Sequence, residues 1–274
     1  METPPSLGII AGSGVYPLLL AQSARRAGVQ KLVAAAFTGE TNPELANFVD
    51  DIHWMKVGQL GRLLKCLCGA GVRHGIMAGQ IAPKNLFDLR PDWKTLLLLA
   101  RLKRRNAESI FSAIAEDLAG VGVELLPATT FLDDLVAAAG LVAGRPLTHR
   151  QEEDVAFGFQ IAKEMSRLDV GQTVVVKNGT VLAVEAFEGT NEAMKRGGAL
   201  GRKDAVVVKV SKPNQDLRFD VPVIGPETLR IAAEAKVRVI AVEAGRTLLL
   251  EKAELVASAE RLGLSIVARD RAEL

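Results

Sequence analysis

The stretch LGIIAGSGVYPLLLAQSARRAGVQKLVAAAF, residues 7–37, decides the reading of the fold. It opens on a short apolar run, passes through Gly12, Ser13 and Gly14, and continues from Tyr16 to Ala27 with apolar residues at helical spacing. A second apolar run, Lys31 to Phe37, follows. Strand, helix and strand in this order make a parallel βαβ unit, because parallel strands need a long crossover and a helix supplies it. Outward from there, Gly58 to Gly69 reads as a helix and HGIMAG, residues 74–79, as a strand. Lys94 to Arg104 and Ala107 to Ala119 read as helices, and VGVELLPATTF, residues 121–131, as a closing strand with its exit loop. A Rossmann-like parallel sheet is expected over residues 1–136.

The second half follows a different pattern. Residues 137–147 carry two glycines and a proline between periodic segments, which suits a linker. Thr148 with Gln151 three positions on makes a capping box, and Val155, Phe159, Ala162 and Met165 then recur at helical spacing. In TVVVKNGTVLAVEAF, residues 173–187, Asn178-Gly179 between β-branched runs predicts a type I′ hairpin turn, so antiparallel pairing enters here. The runs AVVVKV, VRVIAVEAG, TLLLE and SIVARD, separated by helix-like Pro226 to Ala235 and Lys252 to Leu262, complete a mixed α/β domain over residues 148–274. The class is α/β with two domains.

A chain of 274 residues accommodates two domains, and 49% hydrophobic residues against 24% charged gives both a core rather than disorder. Lys and Arg exceed Asp and Glu by only two, so the overall charge carries no footprint for nucleic acid. Cys66 and Cys68 sit two apart on a helical segment, where they do not share a face, and read as packing residues. The three histidines, His53, His74 and His149, are not spaced as metal ligands. The first residues lack a basic segment leading into an apolar one, and no run approaches about 18 apolar residues. The expected location is cytoplasmic, with any membrane contact peripheral.

Four segments carry candidate chemistry. Gly12, Ser13 and Gly14 stand between a strand and a helix, where backbone amides meet phosphate. Pro17 occupies the place of a third fingerprint glycine and no acidic residue closes the second strand, so NAD is poorly supported. Gly79 and Gln80 leave the end of a parallel strand, with Lys84 close behind. LARLKRRNAES sets Arg101, Lys103, Arg104 and Arg105 beside Leu96 to Leu99, which suits either a helix C-terminus or an apolar-plus-basic surface for an acylated anion or an acidic membrane. Glu185, Glu188, Thr190 and Asn191 leave a hairpin strand, and a hard cation such as Mg²⁺ is compatible with carboxylates and a substrate phosphate. The polar loop between residues 206 and 228 alternates Lys209, Lys212, Gln215, Asp216, Arg218 and Asp220 between apolar runs.

The segments LGIIAGSGVYP, MAGQIAP, RLDVGQTVVVKNGTVLAVEAFEGTNEAM and SKPNQDLRFDVPVIGPETL span nearly the whole chain in order. Together they resemble the LpxI-type UDP-2,3-diacylglucosamine pyrophosphatases of lipid A biosynthesis. The resemblance implies a Mg²⁺-dependent hydrolase of two α/β domains that splits UDP-2,3-diacylglucosamine into UMP and 2,3-diacylglucosamine 1-phosphate, lipid X. Water would be directed at the sugar-side phosphorus. It places Asp220 at the family's catalytic aspartate, with Asp216 as a second catalytic candidate. Gly12, Ser13, Gly14, Gly79, Gln80, Glu188, Thr190, Lys212 and Gln215 become candidate substrate contacts, and no metal ligands are specified. A peripheral place on the inner-membrane surface and a homodimer are both compatible. Three other readings stay open: a nucleotide-dependent oxidoreductase, a non-catalytic binder of nucleotide-sugar or lipid, and, for Asp220 alone, a surface ion pair with Arg218.

Overall fold

The computed structural model describes residues 2–81, 91–103, 107–213 and 215–270. Its contacts divide the chain into two compact units. One comprises Met1–Leu132 together with Asp216–Asp220, the other Asp133–Gln215 together with Val221–Leu274.

In the first unit, β1 (Ser6–Ala11), α1 (Tyr16–Arg26) and β2 (Lys31–Phe37) form the expected crossover, followed by β3 (Asp51–Met55), α2 (Leu60–Gly69) and β4 (His74–Ala78). Next come α3 (Trp93–Arg101), α4 (Ala107–Ala119) and a short β5 (Glu124–Leu125). The strands are all parallel in the order β3-β2-β1-β4-β5, with Ile9 in register with Ala34 on one side and Ile76 on the other. The order accounts for the composition. Strands covered on both faces need apolar residues at successive positions, and β2 buries six of its seven. Leu60, Leu63, Leu64 and Leu67 on α2 fall at i, i+3, i+4 and i+7 and are all buried with Val33, Ala35 and Phe37. Each such leucine contributes about 1.5–3 kcal/mol.

The second unit contains β6 (Gly140–Ala143), α5 (His149–Arg167), β7 (Thr173–Lys177), β8 (Thr180–Val184), α6 (Thr190–Gly201) and β9 (Ala205–Lys209). It continues through β10 (Val223–Ile224), α7 (Pro226–Glu234), β11 (Val237–Glu243), β12 (Leu248–Leu249), α8 (Lys252–Leu262) and β13 (Ser265–Arg269). Its main sheet runs β6-β13-β11-β9-β7-β8. The three central strands are parallel, while β6, β7 and β8 pair antiparallel. One face packs Val155, Phe159 and Ala162 of α5 against Val174, Val206, Val239 and Val267. The other face gathers Met194, Leu229, Ile231 and Leu255 from α6, α7 and α8.

The predicted hairpin forms, with Asn178 at φ 53° and Gly179 at φ 71°, as type I′ requires. Buried Asp154 on α5 accepts both turn amides, from Asn178 at 2.8 Å and Gly179 at 2.7 Å. The capping box at Thr148 and Gln151 is also present.

Three sequence expectations change. Residues 137–147, expected as a linker, contain β6, which closes the sheet edge against β13, and Ala137 lies in the core. The second unit therefore begins at Asp133 rather than at 148, because a short apolar run flanked by glycines at positive φ still pairs when a sheet edge is open to it. Of the closing strand and exit loop expected over residues 121–131, the strand is the two residues of β5, with the Leu126 amide still donating to Gly75 O at 2.9 Å before the chain leaves the ladder. Asp216–Asp220, placed by sequence in the C-terminal domain, belongs to the first unit. Lys84, Arg104 and Arg105 lie outside the described residues.

Asp154→Ala removes the buried acceptor of two turn amides. It should cost about 2–3 kcal/mol, and amide hydrogen exchange at Asn178 and Gly179 should accelerate. Unchanged exchange there would mean that the turn stands without α5.

Candidate active site at the carboxyl edge of the first sheet

The order β3-β2-β1-β4-β5 reverses direction between β1 and β4, and open α/β sheets hold ligands at the carboxyl ends of such strands. Two of the predicted segments meet there. Gly12 donates its amide to Ala78 O at 2.7 Å, Ser13 donates to Gln80 O at 2.8 Å, and Ser13 Oγ donates to the same carbonyl at 2.6 Å. This approach leaves no space for side chains. A Cβ on Gly12 would lie 2.7 Å from the Gly79 carbonyl carbon, and one on Gly79, at φ 89°, would lie 2.5 Å from Ser13 O. Both glycines are thus accounted for by backbone packing, whatever else their amides contact. Gly14, at φ 84°, faces open space, and α1 begins beyond it without a side-chain cap, which leaves the first-turn amides of Tyr16 and Leu18, Pro17 having none, directed at the same edge.

The Asp216–Asp220 loop reaches this edge through Ala128, just beyond β5. Ala128 donates its amide to Leu217 O at 2.7 Å, and its carbonyl accepts the hydroxyl of Tyr16, the first residue of α1. Burial pushes the Tyr16 phenol well above its ordinary value, so the hydroxyl remains a donor throughout the physiological range. Phe111 and Phe219 add a tilted ring contact with centroids 5.6 Å apart.

Within the loop, Asp216 and Asp220 differ. Arg218 grips Asp216 through Nε at 2.9 Å and Nη2 at 2.6 Å, and the Arg218 amide donates to the same carboxylate at 3.0 Å. The Arg218 hydrogen bonds hold the Asp216 carboxyl below the usual aspartate range against the opposing effect of burial. The guanidinium fork is therefore spent on Asp216. Asp220, half-buried, closes the turn by donating its amide to Asp216 O at 3.1 Å.

The remaining sequence candidates belong to the second unit. Lys212 pairs through Nζ with Asp169, and its amide donates to Gln215 Oε1 at 2.6 Å. Gln215 is buried, and its Nε2 has no hydrogen-bond partner among the described residues. Thr190 Oγ1 donates to buried Glu185 at 2.9 Å and lies 3.2 Å from Thr173 Oγ1. Glu188 accepts from Ala186 N at 3.1 Å and Arg196 Nη2 at 2.6 Å. Local backbone hydrogen bonding first, then Arg196, holds its carboxyl low.

Sequence reading missed two supports. Tyr16 and Ala128 had no motif to mark them, although Tyr16 is the chain's single tyrosine. Glu243, at the end of β11, accepts Lys163 Nζ at 2.6 Å and both the amide and hydroxyl of Ser211, at 2.8 and 2.6 Å, where the polar loop begins. Burial acts to raise the Glu243 carboxyl, but Lys163 and Ser211 outweigh it and hold it below the ordinary value. Among the described residues, no three His, Cys, Asp or Glu side chains converge as a metal cage. The donor set instead suits a cation shared between a carboxylate and substrate phosphates.

Two family models match the chain in succession, the LpxI N-terminal domain over residues 6–135 and the LpxI C-terminal domain over residues 138–267. The UDP-2,3-diacylglucosamine pyrophosphatase LpxI of Caulobacter vibrioides is 29% identical over 279 aligned positions, covering 97% of this chain and 98% of that protein.

Because the folded carboxyl of Glu243 is depressed, its stabilisation is complete above the ordinary value near 4.5 and is lost as pH falls through the depressed one. Glu243→Gln should cost about 2–4 kcal/mol at neutral pH and flatten the acid limb of a thermal-stability profile below about pH 4.5. An acid limb identical to that of the wild type would remove Glu243 from the acid response.

Proposed function

Since the chain belongs to the LpxI family, we propose that it hydrolyses the pyrophosphate bond of UDP-2,3-diacylglucosamine, releasing UMP and 2,3-diacylglucosamine 1-phosphate. The observation that carries this reading is the pair of family models laid end to end over almost the entire chain. Family membership selects hydrolysis over the oxidoreductase and the non-catalytic binder that the sequence left open.

Splitting a pyrophosphate is limited by charge accumulating on the phosphoryl oxygens, and fixed donors aimed at that charge are the main catalytic resource. The carboxyl edge of the first sheet supports this chemistry. Ser13, Gly14 and the uncapped first turn of α1 supply the phosphate end of the site. Gly12, Gly79 and Gln80 form its floor, held together by their own backbone hydrogen bonds. Asp220 is assigned the reacting end, where its carboxylate orients water or holds Mg²⁺ shared with the substrate phosphates. When bound, that cation would neutralise charge on the phosphoryl oxygens.

Asp216 takes a different part from the second catalytic role that sequence suggested. With its carboxylate gripped by Arg218, it shapes the turn that presents Asp220. For the second unit, the family resemblance proposes Gln215, Lys212, Glu188 and Thr190 as substrate contacts; within that unit the Lys212 amide donates to Gln215 Oε1. No helix among the described residues is long and apolar enough to cross a membrane, and a substrate with two acyl chains suits a peripheral encounter with the bilayer.

Asp220→Ala should lower UMP release by at least about 100-fold while the variant stays folded and retains substrate. Chelation should abolish turnover and added Mg²⁺ restore it. Reaction in ¹⁸O-water should place the label in 2,3-diacylglucosamine 1-phosphate, as attack at the sugar-side phosphorus demands. Wild-type protein that releases no UMP would overturn the reaction, and a fully active Asp220→Ala variant would overturn the role of Asp220.

A further inference from the structure

The helix α3 is apolar on two faces. Leu98 is buried, and Leu99 and Leu102 pack with it against the core of the first unit. On the opposite side Trp93 is 72% exposed, Leu96 46% and Leu97 51%, with Ala100 exposed beside them. These four fall at i, i+3, i+4 and i+7 and make one continuous stripe. Most of Trp93 and about half of each leucine stay outside the fold, and a continuous apolar stripe on a helix is normally covered.

The surroundings of the stripe indicate what covers it. Lys94, Arg101 and Lys103 are exposed on or next to the helix, which has no acidic residue of its own. Asp92, just before it, is occupied in capping, accepting from Thr95 N at 2.9 Å and Gly61 N at 2.7 Å. Arg101 also meets Asp117 of α4, whereas Lys94 and Lys103 form no ion pair among the described residues. An apolar face with a tryptophan at one end and a cationic rim suits the headgroup layer of an anionic bilayer. Two leucines and one tryptophan offer only a few hundred Å², well below the about 800 Å² per partner of a stable protein interface, which argues against a second copy of the chain.

We propose that the outer face of α3 docks the protein on an anionic lipid surface. The stripe inserts Trp93, Leu96 and Leu97 among the acyl chains while Lys94 and Lys103 meet lipid phosphates. The inference rests on the lipid substrate proposed above for its purpose, but on the helix alone for its geometry.

Vesicle flotation tests it without any substrate. The full chain should float with vesicles of phosphatidylcholine and phosphatidylglycerol, much less with phosphatidylcholine alone, and less at raised salt. Leu96→Asp with Leu97→Asp should weaken flotation at least tenfold with an unchanged melting temperature, while Leu262→Asp, at an exposed leucine on α8, should leave it intact. In a Trp54→Phe background, the emission of Trp93 should shift to the blue on addition of anionic vesicles. Equal flotation of the α3 variant and wild type, no wild-type binding to anionic vesicles, or dissociation of an oligomer by the α3 substitutions would overturn the proposal. Because hydrolysis is read separately on detergent-dispersed substrate, failure of the docking face and failure of the proposed reaction give different results.

Discussion

One residue, Ala128, holds together parts of the first unit that are far apart in the chain. Its carbonyl accepts the buried hydroxyl of Tyr16 at the head of α1, and its amide donates to Leu217 in the Asp216–Asp220 loop. Each bond is worth only about 1 kcal/mol net, but leaving either group unpaired in the interior costs more, so the two act as a positional constraint. The constraint falls just past β5, a strand short enough for the chain to turn back over the edge of the sheet immediately. Through it the glycine loop and the aspartate loop share one frame.

The chemistry of the edge follows from what that frame leaves available. Arg218, the cation nearest the two aspartates in sequence, is used within the loop to hold Asp216 in a two-point grip. The Gly12 and Gly79 exits touch so closely that only backbone fits between them, which makes the floor of the site rigid and independent of rotamers. Such preorganisation is what stabilisation of a phosphoryl transition state requires.

A comparable device operates in the second unit. The sheet is covered on both faces, so the ends of its central strands lie in a largely apolar setting where a carboxylate needs partners. Glu243 finds them in Lys163 and in the amide and hydroxyl of Ser211. The start of the polar loop is thereby fixed to the end of β11.

Patterns within short windows were legible in the sequence alone. The βαβ alternation, the helical spacing of the α2 leucines, the Asn178-Gly179 turn and the Thr148 cap all appear where local rules place them, because each depends on residues within a few positions of one another. The glycine pairs could be identified as special, but not that they lean on each other, since Gly12 and Gly79 come from strands joined by a long excursion. The strand inside residues 137–147 was hidden because its pairing partner, β13, lies at the far end of the chain. The family pattern pointed to Asp220, yet only the tertiary structure decided that its loop belongs with the first unit. That placement depends on a hydrogen bond between Ala128 and Leu217 and a ring contact between Phe111 and Phe219, pairings for which distant stretches of sequence carry no periodic signal.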